Sequence, residues 1–585
     1  MRIRNFLPIL QWLPQYKGKD LKFDLLAGLT VAVMLIPQGM AYGLLAGVEP
    51  IYGLYAGIVP LLLYAFFGTS RQLSVGPVAL VSLLVLTGVS EFATPGTSKF
   101  LQLAIATALL AGIIQLILGF SKLGFLINFL AHPVISGFTS AAAFIIGLSQ
   151  LNNLFGLNME RSNQIHKVLI QLFEQISQIH LLTFSIGLGG IILMLLLRRI
   201  SRAIPSALIA TIIGVVLVQQ VQLDQQGVAI LGLVPEGLPS FEVPSLSMTD
   251  LQQILPLAVT ICVISFIESI AISNTIAAKH KTYKIDPNQE LIALGMTKLG
   301  GAFFQAFPTT GSFTRSAINN EAGAKTGLSS IIAALMIGIT LLFLTPLFYY
   351  LPKAILASII MVSVIGLINY KEAKHLYKTD RRDFYTLLVT FLATLILGIQ
   401  SGVLIGLLLS IGIMVYQNGK PHYAILGRLP NTDHYRNINR FSEAILDNEI
   451  LTVRFDAQLY FGNAAFFTNQ MENLVDAAGK GLHLFILDAS NIHDIDSTGI
   501  HALEDFIGYL ERKQIGFYLA RPIGPVRDTI TRHGLINRIG VEKCFLSVSD
   551  AIQAYTIKKE QIEKQNASAI LHQKMKSKRK KAKGK

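Results

Sequence analysis

Residues 311–317 read Gly311-Ser312-Phe313-Thr314-Arg315-Ser316-Ala317, a hydroxyl-rich helix start with an arginine, inside a run apolar enough to lie in a bilayer. A charge placed there is costly, so it lines a pathway or a binding site. Upstream, Ser74-Val75-Gly76-Pro77-Val78-Ala79 has the same build. Both stretches follow short extended segments with Gly or Pro, and both start helices too short to cross alone. They open the third and tenth of fourteen apolar runs. Corresponding interrupted segments seven spans apart predict an inverted repeat with its binding site between broken helices. Because seven is odd, the two copies lie in opposite orientations.

The remaining runs give the frame. With 52% hydrophobic and 14% charged residues, the chain is too apolar for a soluble protein of its length. The fourteen runs lie at 25–45, 51–67, 74–89, 101–119, 125–150, 181–197, 203–220, 251–276, 288–304, 311–325, 328–347, 354–369, 383–399 and 401–417. Basic residues gather in alternate loops: Arg198, Arg199 and Arg202, then Lys279, Lys281 and Lys284, then Lys371, Lys374, Lys378, Arg381 and Arg382. The long loop 221–250 holds acids but no Lys or Arg. This alternation predicts both termini in the cytosol and an even number of spans, which twelve would also satisfy. A bacterial inner membrane or a plasma membrane fits the pattern equally. Residues 1–24, with Pro8, Trp12, Pro14 and several charges, read as a cytosolic lead-in.

The chemistry follows from the charges. A helix that begins in mid-membrane presents free N–H groups and about half a positive charge at its start. Two such starts facing one site supply about one positive charge. Arg315 adds another, on a planar fork suited to oxyanions, and Ser312 and Thr314 offer hydroxyls. A structural alternative has Arg315 tying helices through backbone carbonyls. Glu268, in Val263-Ile264-Ser265-Phe266-Ile267-Glu268-Ser269-Ile270, is an intramembrane carboxylate that can load and release a proton. It can also help to hold Na⁺ beside Ser265 or Ser269, or stay protonated as a hydrogen-bond donor to a neighbouring helix. With Glu268 neutral the site is near +2 and suits a dianion; with it ionised the site is near +1 and suits a monoanion. In the first run Pro37 and Gly39 permit a break or kink, with Gln38 and Tyr42 able to face the site. There is no nucleotide-binding phosphate loop, since Gly323-Ala324-Lys325-Thr326 is only a fragment of one, so transport must run on a gradient or by exchange. No catalytic triad, metal cluster or cofactor site is expected, and the chain is not read as an enzyme.

After residue 417 the character changes. Residues 418–445 are polar and read as a linker. From 446 to 560 strands and helices alternate: strand 451–455, helix 464–478, strand 482–488, helix 498–513 and strand 516–520, a small cytosolic α/β domain. Residues 561–585 read as a disordered basic tail: eight of its Lys and Arg fall in the last twelve positions, where anionic lipid headgroups are a possible contact. Nucleic acid is not expected as a partner. Cys262 and Cys544 fall in different domains and are not expected to pair.

Several motifs together resemble the SulP family of sulfate and anion transporters. They are Pro37-Gln38-Gly39-Met40-Ala41-Tyr42, Ile51-Tyr52-Gly53-Leu54-Tyr55, Phe67-Gly68-Thr69-Ser70-Arg71, Gly76-Pro77-Val78-Ala79, the 311–317 motif and Asn320-Glu321-Ala322-Gly323-Ala324-Lys325-Thr326. The resemblance implies fourteen segments as 7+7 inverted repeats, divided into core and gate domains, and a homodimer. It implies an anion site at Gln38, Tyr42, Val78, Ala79, Ser312, Phe313, Thr314 and Arg315, with Glu268 as the coupling carboxylate. Asp488-Ala489-Ser490 and Asp496-Ser497-Thr498-Gly499 resemble a STAS domain, whose relatives are phosphorylated in an Asp-Ser-Ser-Gly loop. Ser497 and Thr498 are therefore candidate regulatory positions, with a regulatory partner possible there. Thr498 replaces the second Ser of that loop, and a helix N-cap at Asp496 to Gly499 made with the Ser and Thr hydroxyls is the favoured alternative. The expected function is proton-coupled sulfate uptake, with chloride/bicarbonate exchange, dicarboxylate transport and an uncoupled anion channel as alternatives.

Overall fold

The computed structural model describes residues 3–125, 131–157, 165–201, 204–244 and 247–582. Arg202 and the last three residues of the tail lie outside them. The chain forms two units, Met1–Ile411 and Gly412–Lys585.

In the first unit, apolar sequence becomes helix wherever glycine and proline allow it. Helix α1, Leu21–Leu45, runs through Pro37 unbroken. Helix α2, Pro50–Tyr55, packs on α1 where two glycines face each other, and a Cβ on Gly53 would stand 1.9 Å from the Gly39 carbonyl. The run 51–67 is two helices and not one. The chain turns at residues 56–58 and resumes as α3, Val59–Phe67, with Pro60 in its first turn, where a missing N–H costs nothing. Strand β1, Val75–Gly76, leads into α4, Ala79–Val89. Helices α5, Ser98–Phe120, α6, His132–Ser149, α7, Leu181–Ile200, and α8, Ser206–Val221, follow. A reciprocal capping box of Ser247 and Asp250 opens α9, Met248–His280. Asp286 caps α10, Pro287–Ala302. Strand β2, Thr310–Gly311, leads into α11, Phe313–Glu321. The unit closes with α12, Leu328–Phe343, α13, Lys353–Val364, α14, Tyr370–Thr379, α15, Arg381–Leu397, and α16, Ile399–Gly419, whose last turns belong to the second unit.

Among the described residues, eight helical stretches are long and apolar enough to cross a membrane, and α4, α8 and α12 are apolar but shorter. Length and composition alone thus single out fewer spans than the fourteen apolar runs. The stretches of α7 and α16 bury only 22% and 28% of their apolar windows within the chain, the pattern of helices that face lipid. Asp24 is fully buried and accepts from Lys325 N at 2.7 Å, Thr326 N at 3.1 Å and Thr326 Oγ1 at 2.7 Å, fixing α1 to the start of α12.

The second unit is built on a six-stranded sheet in the order β4-β3-β5-β6-β7-β8. Strands β5, Ile450–Phe455, β6, Leu484–Asp488, β7, Gly516–Ala520, and β8, Cys544–Phe545, run parallel. Residues 418–445 are not a free linker. They supply β3, Tyr423–Arg428, and β4, Tyr435–Asn437, with Tyr423 opposite Phe455 and Leu426 opposite Asn437. Their apolar alternation spans only Ala424 and Leu426 before Gly427 and Pro430, too short to stand out against polar neighbours. Helices α17, Ala464–Ala478, and α18, Ser497–Arg512, cover one face through Phe455, Phe467, Phe485 and Phe506. Helix α20, Val548–Ala582, covers the other through Val548 and Ala551, and α19, Gly524–Arg532, lies between β7 and β8 in the chain. The expected disordered tail from 561 instead continues α20 as helix to Ala582. Lys, Glu, Gln and Ala dominate there, and all favour helix.

Two outcomes follow from these contacts. Gly53→Val drives a side chain into the α1 backbone, costing about 3 kcal/mol or more. It should abolish the monodisperse peak of purified protein in size-exclusion chromatography. In the second unit Asp456 is partly desolvated, which raises its pKa. Hydrogen bonds from Arg454, His422 and Asn491 outweigh this and hold the carboxyl below its ordinary value. A depressed native pKa gives stability that is present above the unfolded carboxylate value and lost as pH falls through the native one. Thermal unfolding of Asp456→Asn against wild type should therefore show a gap at neutral pH that closes in acid.

Candidate functional site

Two broken helices meet at a two-residue sheet. Strands β1 and β2 pair antiparallel, Val75 opposite Gly311 and Gly76 opposite Thr310. Ser312 N donates to Ser74 O at 2.9 Å, and Ser74 N donates to Ser316 Oγ at 2.9 Å, locking the start of α11 beside the entry to α4. Val78, in extended backbone with φ −138°, precedes α4 and offers no side-chain cap, so the first amides of α4 stay available to an anion. Ser312 Oγ caps α11 by accepting from Arg315 N at 3.4 Å. The two short segments singled out in the sequence are thus brought together, as a site between broken helices requires.

Arg315 is 0% exposed. Its Nη1 donates to Pro77 O at 3.0 Å and to Gln38 Oε1 at 3.5 Å, while Nε and Nη2 have no partner among the described residues. A Cβ on Gly76 would lie 3.2 Å from Nη2, so glycine there lets the guanidinium lie against β1. The carbonyl tie and the binding role are not exclusive: one nitrogen is tied and two remain. Gln38 is 1% exposed, with Nε2 unpartnered. Tyr42 and Glu268 are within electrostatic reach of Arg315, which joins α1, α9 and α11 at one place. Glu268 Oε2 is enclosed and unpartnered. Val78 and Ala79 are buried at the start of α4. Thr314 Oγ1 lies 3.3 Å from Ser312 Oγ, and the Phe313 ring is 62% exposed, so Phe313 brings its place in the first turn and not an enclosed ring.

The hydroxyls beside Glu268 are already engaged. Ser269 Oγ accepts from Gly311 N at 3.0 Å and lies 3.1 Å from Thr310 Oγ1, and Ser265 Oγ accepts from Gln115 Nε2 at 3.0 Å. They hold β2 against α9. Besides Asp24, the buried charges of α10 escaped the sequence reading. Glu290, 0% exposed, accepts from Tyr64 Oη, Thr69 N and Thr69 Oγ1, and Lys298 is 1% exposed in the middle of α10. Both stand in the apolar run 288–304, so the signal that marks Glu268 and Arg315 was present there too.

In the second unit, α18 begins at Ser497 and is capped by the Asp496 carboxylate, which accepts from Gly499 N at 2.7 Å and from Phe461 N at 3.0 Å. The cap reading describes the geometry, with Asp496 and not a hydroxyl as the acceptor. Ser497 and Thr498 are exposed.

The chain is similar to known proteins along nearly its whole length. Residues 21–390 match the Sulfate permease family, and residues 442–551 match the STAS domain. A probable sulfate transporter 4.2 of Arabidopsis thaliana is 38% identical over 94% of this chain and 84% of its own length. The chloroplastic sulfate transporter 4.1 of the same plant is also 38% identical, over 94% and 82%. The structure of murine Solute Carrier 26 family member A9, an anion transporter in the inward-facing state, superposes with a TM-score of 0.89 at 26% identity, covering 95% of this chain and 94% of that one. The chain belongs to the sulfate permease family, whose members are membrane transporters and not enzymes.

Proposed function

We propose that this chain is a secondary active transporter that takes up sulfate together with protons. The observation that carries this reading is the guanidinium of Arg315, fully buried between the starts of α4 and α11 with Nε and Nη2 unpartnered. Unsatisfied charged donors are expensive to bury, and an oxyanion is the ligand whose geometry satisfies two of them at once. The helix starts add about one further positive charge, which favours a divalent tetrahedral anion. Relatives named as sulfate transporters over almost the whole chain support sulfate as that anion.

Glu268 is the proton carrier in this reading. Its enclosed, unpartnered oxygen sits within reach of Arg315, so a proton arriving there returns the site to its higher positive charge. Anion and proton then favour each other's binding, which is the requirement for symport. Transport proceeds by movement of the core domain against the gate domain, in a homodimer, with Gln38 and Tyr42 of α1 completing the site.

The test is uptake of labelled sulfate into proteoliposomes under an inward proton gradient. Wild type should show proton-stimulated uptake, and Glu268→Gln should lose the stimulation. Arg315→Ala should raise the sulfate KM by about tenfold or more, the loss expected for hydrogen bonds to a charged group. Equal stimulation in Glu268→Gln would remove the carboxylate from coupling. No sulfate uptake by wild type would sink the sulfate reading and leave monovalent anions or dicarboxylates to be tried. In competition assays, divalent over monovalent preference should fall as pH rises, and a preference independent of pH would remove the charge-switch argument.

A further inference from the structure

Lys298 is fully enclosed in α10, and the anion-binding scheme makes no use of it. An ammonium inside a spanning region is costly and is kept for a reason. Among the described residues its one hydrogen-bond partner is neutral: Nζ donates to Gln115 Oε1 at 3.0 Å. Small residues make the approach possible. A Cβ on Gly112 would stand 2.8 Å from Leu299 N, and one on Gly295 would stand 2.9 Å from the Gly112 carbonyl, so α5 and α10 touch backbone to backbone.

Gln115 passes the contact on. Its Nε2 donates to Cys262 O and to Ser265 Oγ, both at 3.0 Å, on the turn of α9 before Glu268. Ser265 O accepts from Thr310 Oγ1 at 2.9 Å, and Gly311 N donates to Ser269 Oγ at 3.0 Å. Hydrogen bonds therefore run residue to residue from α10, through α5 and α9, into β2. The next residue, Ser312, caps the helix of Arg315. Gln115 is held at both ends of its amide. Cys262 O only accepts, so the amide NH₂ of Gln115 faces α9, and Lys298 Nζ donates to the amide oxygen that this leaves facing α10. Without it, the amide keeps its hold on α9 through Cys262 O but its enclosed oxygen loses the donor that anchors it to α10.

We propose that Lys298 is a positioning residue for the anion site, anchoring Gln115 and thereby holding β2 and the first turn of α11 in place. This rests on the β2–α11 junction being the anion site. It does not depend on sulfate being the anion.

The test is hydrogen–deuterium exchange of the full chain in nanodiscs. Lys298→Met keeps the length of the side chain and removes the donor, and exchanging a buried ion for an apolar side chain is commonly tolerated. Peptides covering 310–317 should exchange about threefold faster in this variant, while global Tm stays near wild type. Gln115→Leu should speed the same peptides and also lower Tm, because it strands the ammonium, and adding Lys298→Met should restore Tm without further exchange. In the uptake assay Lys298→Met should raise the sulfate KM about fivefold at unchanged maximal rate. Absence of uptake by wild type would count against the sulfate reading alone, since exchange needs no substrate. Wild-type exchange at 310–317 in Lys298→Met, or effects of the two substitutions that multiply, would overturn the proposal. Should Lys298→Met yield no folded protein, Gln115→Leu decides: unchanged exchange at 310–317 overturns it.

Discussion

The transport unit depends on one joint, the two-residue antiparallel pairing of Val75–Gly76 with Thr310–Gly311. Helices that start in the middle of a membrane leave their first amides unpaired, and hydrocarbon gives those amides no partner. The joint solves this by placing two such starts against each other, backbone to backbone, with Gly76 and Gly311 leaving room. What remains unpaired is then concentrated in one spot and carries the sign of charge that an anion requires. Arg315 follows from the same economy. It is held by the carbonyl of Pro77, which is itself exposed to bonding only because α4 has not yet begun.

Around that joint the buried polar groups form a support and not a scatter. Ser265, Ser269 and Thr310 bind β2 to α9, and Asn319 Nδ2 donates to Gln72 O at 3.0 Å. Asp24 secures α1, which brings Gln38 and Tyr42. Each tie crosses between elements distant in sequence, while α7 and α16 bury the smallest share of their apolar windows within the chain.

Much of this was legible in the sequence. A charge inside an apolar run has few interpretations, so Glu268 and Arg315 declared themselves, and the paired serine-led helix starts located the joint. The strands and helices of the second unit were readable from their alternation, with 464–478 and 516–520 matching their elements end to end. Lys298 shows where reading fails. Its charge is visible, but its meaning lies in Gln115, an uncharged residue of a distant run, and pairing across helices leaves no local trace. The turn at residues 56–58 was hidden because Ala56, Gly57 and Ile58 are apolar enough to continue a span. Strands β3 and β4 were hidden because an edge built of tyrosines, arginines and asparagine resembles a solvated loop.

The pairing of β1 with β2 also has a consequence for how the chain is made. The ribosome releases the first strand long before the second, and the membrane receives the helices between them one after another. Until residue 311 has emerged, the start of α4 has no opposite number and the carbonyl of Pro77 no guanidinium. The joint between the two helix starts is therefore a late event in synthesis. A chain cut short before β2 would carry the unpaired start of α4 in the bilayer, where hydrocarbon offers its backbone no partner.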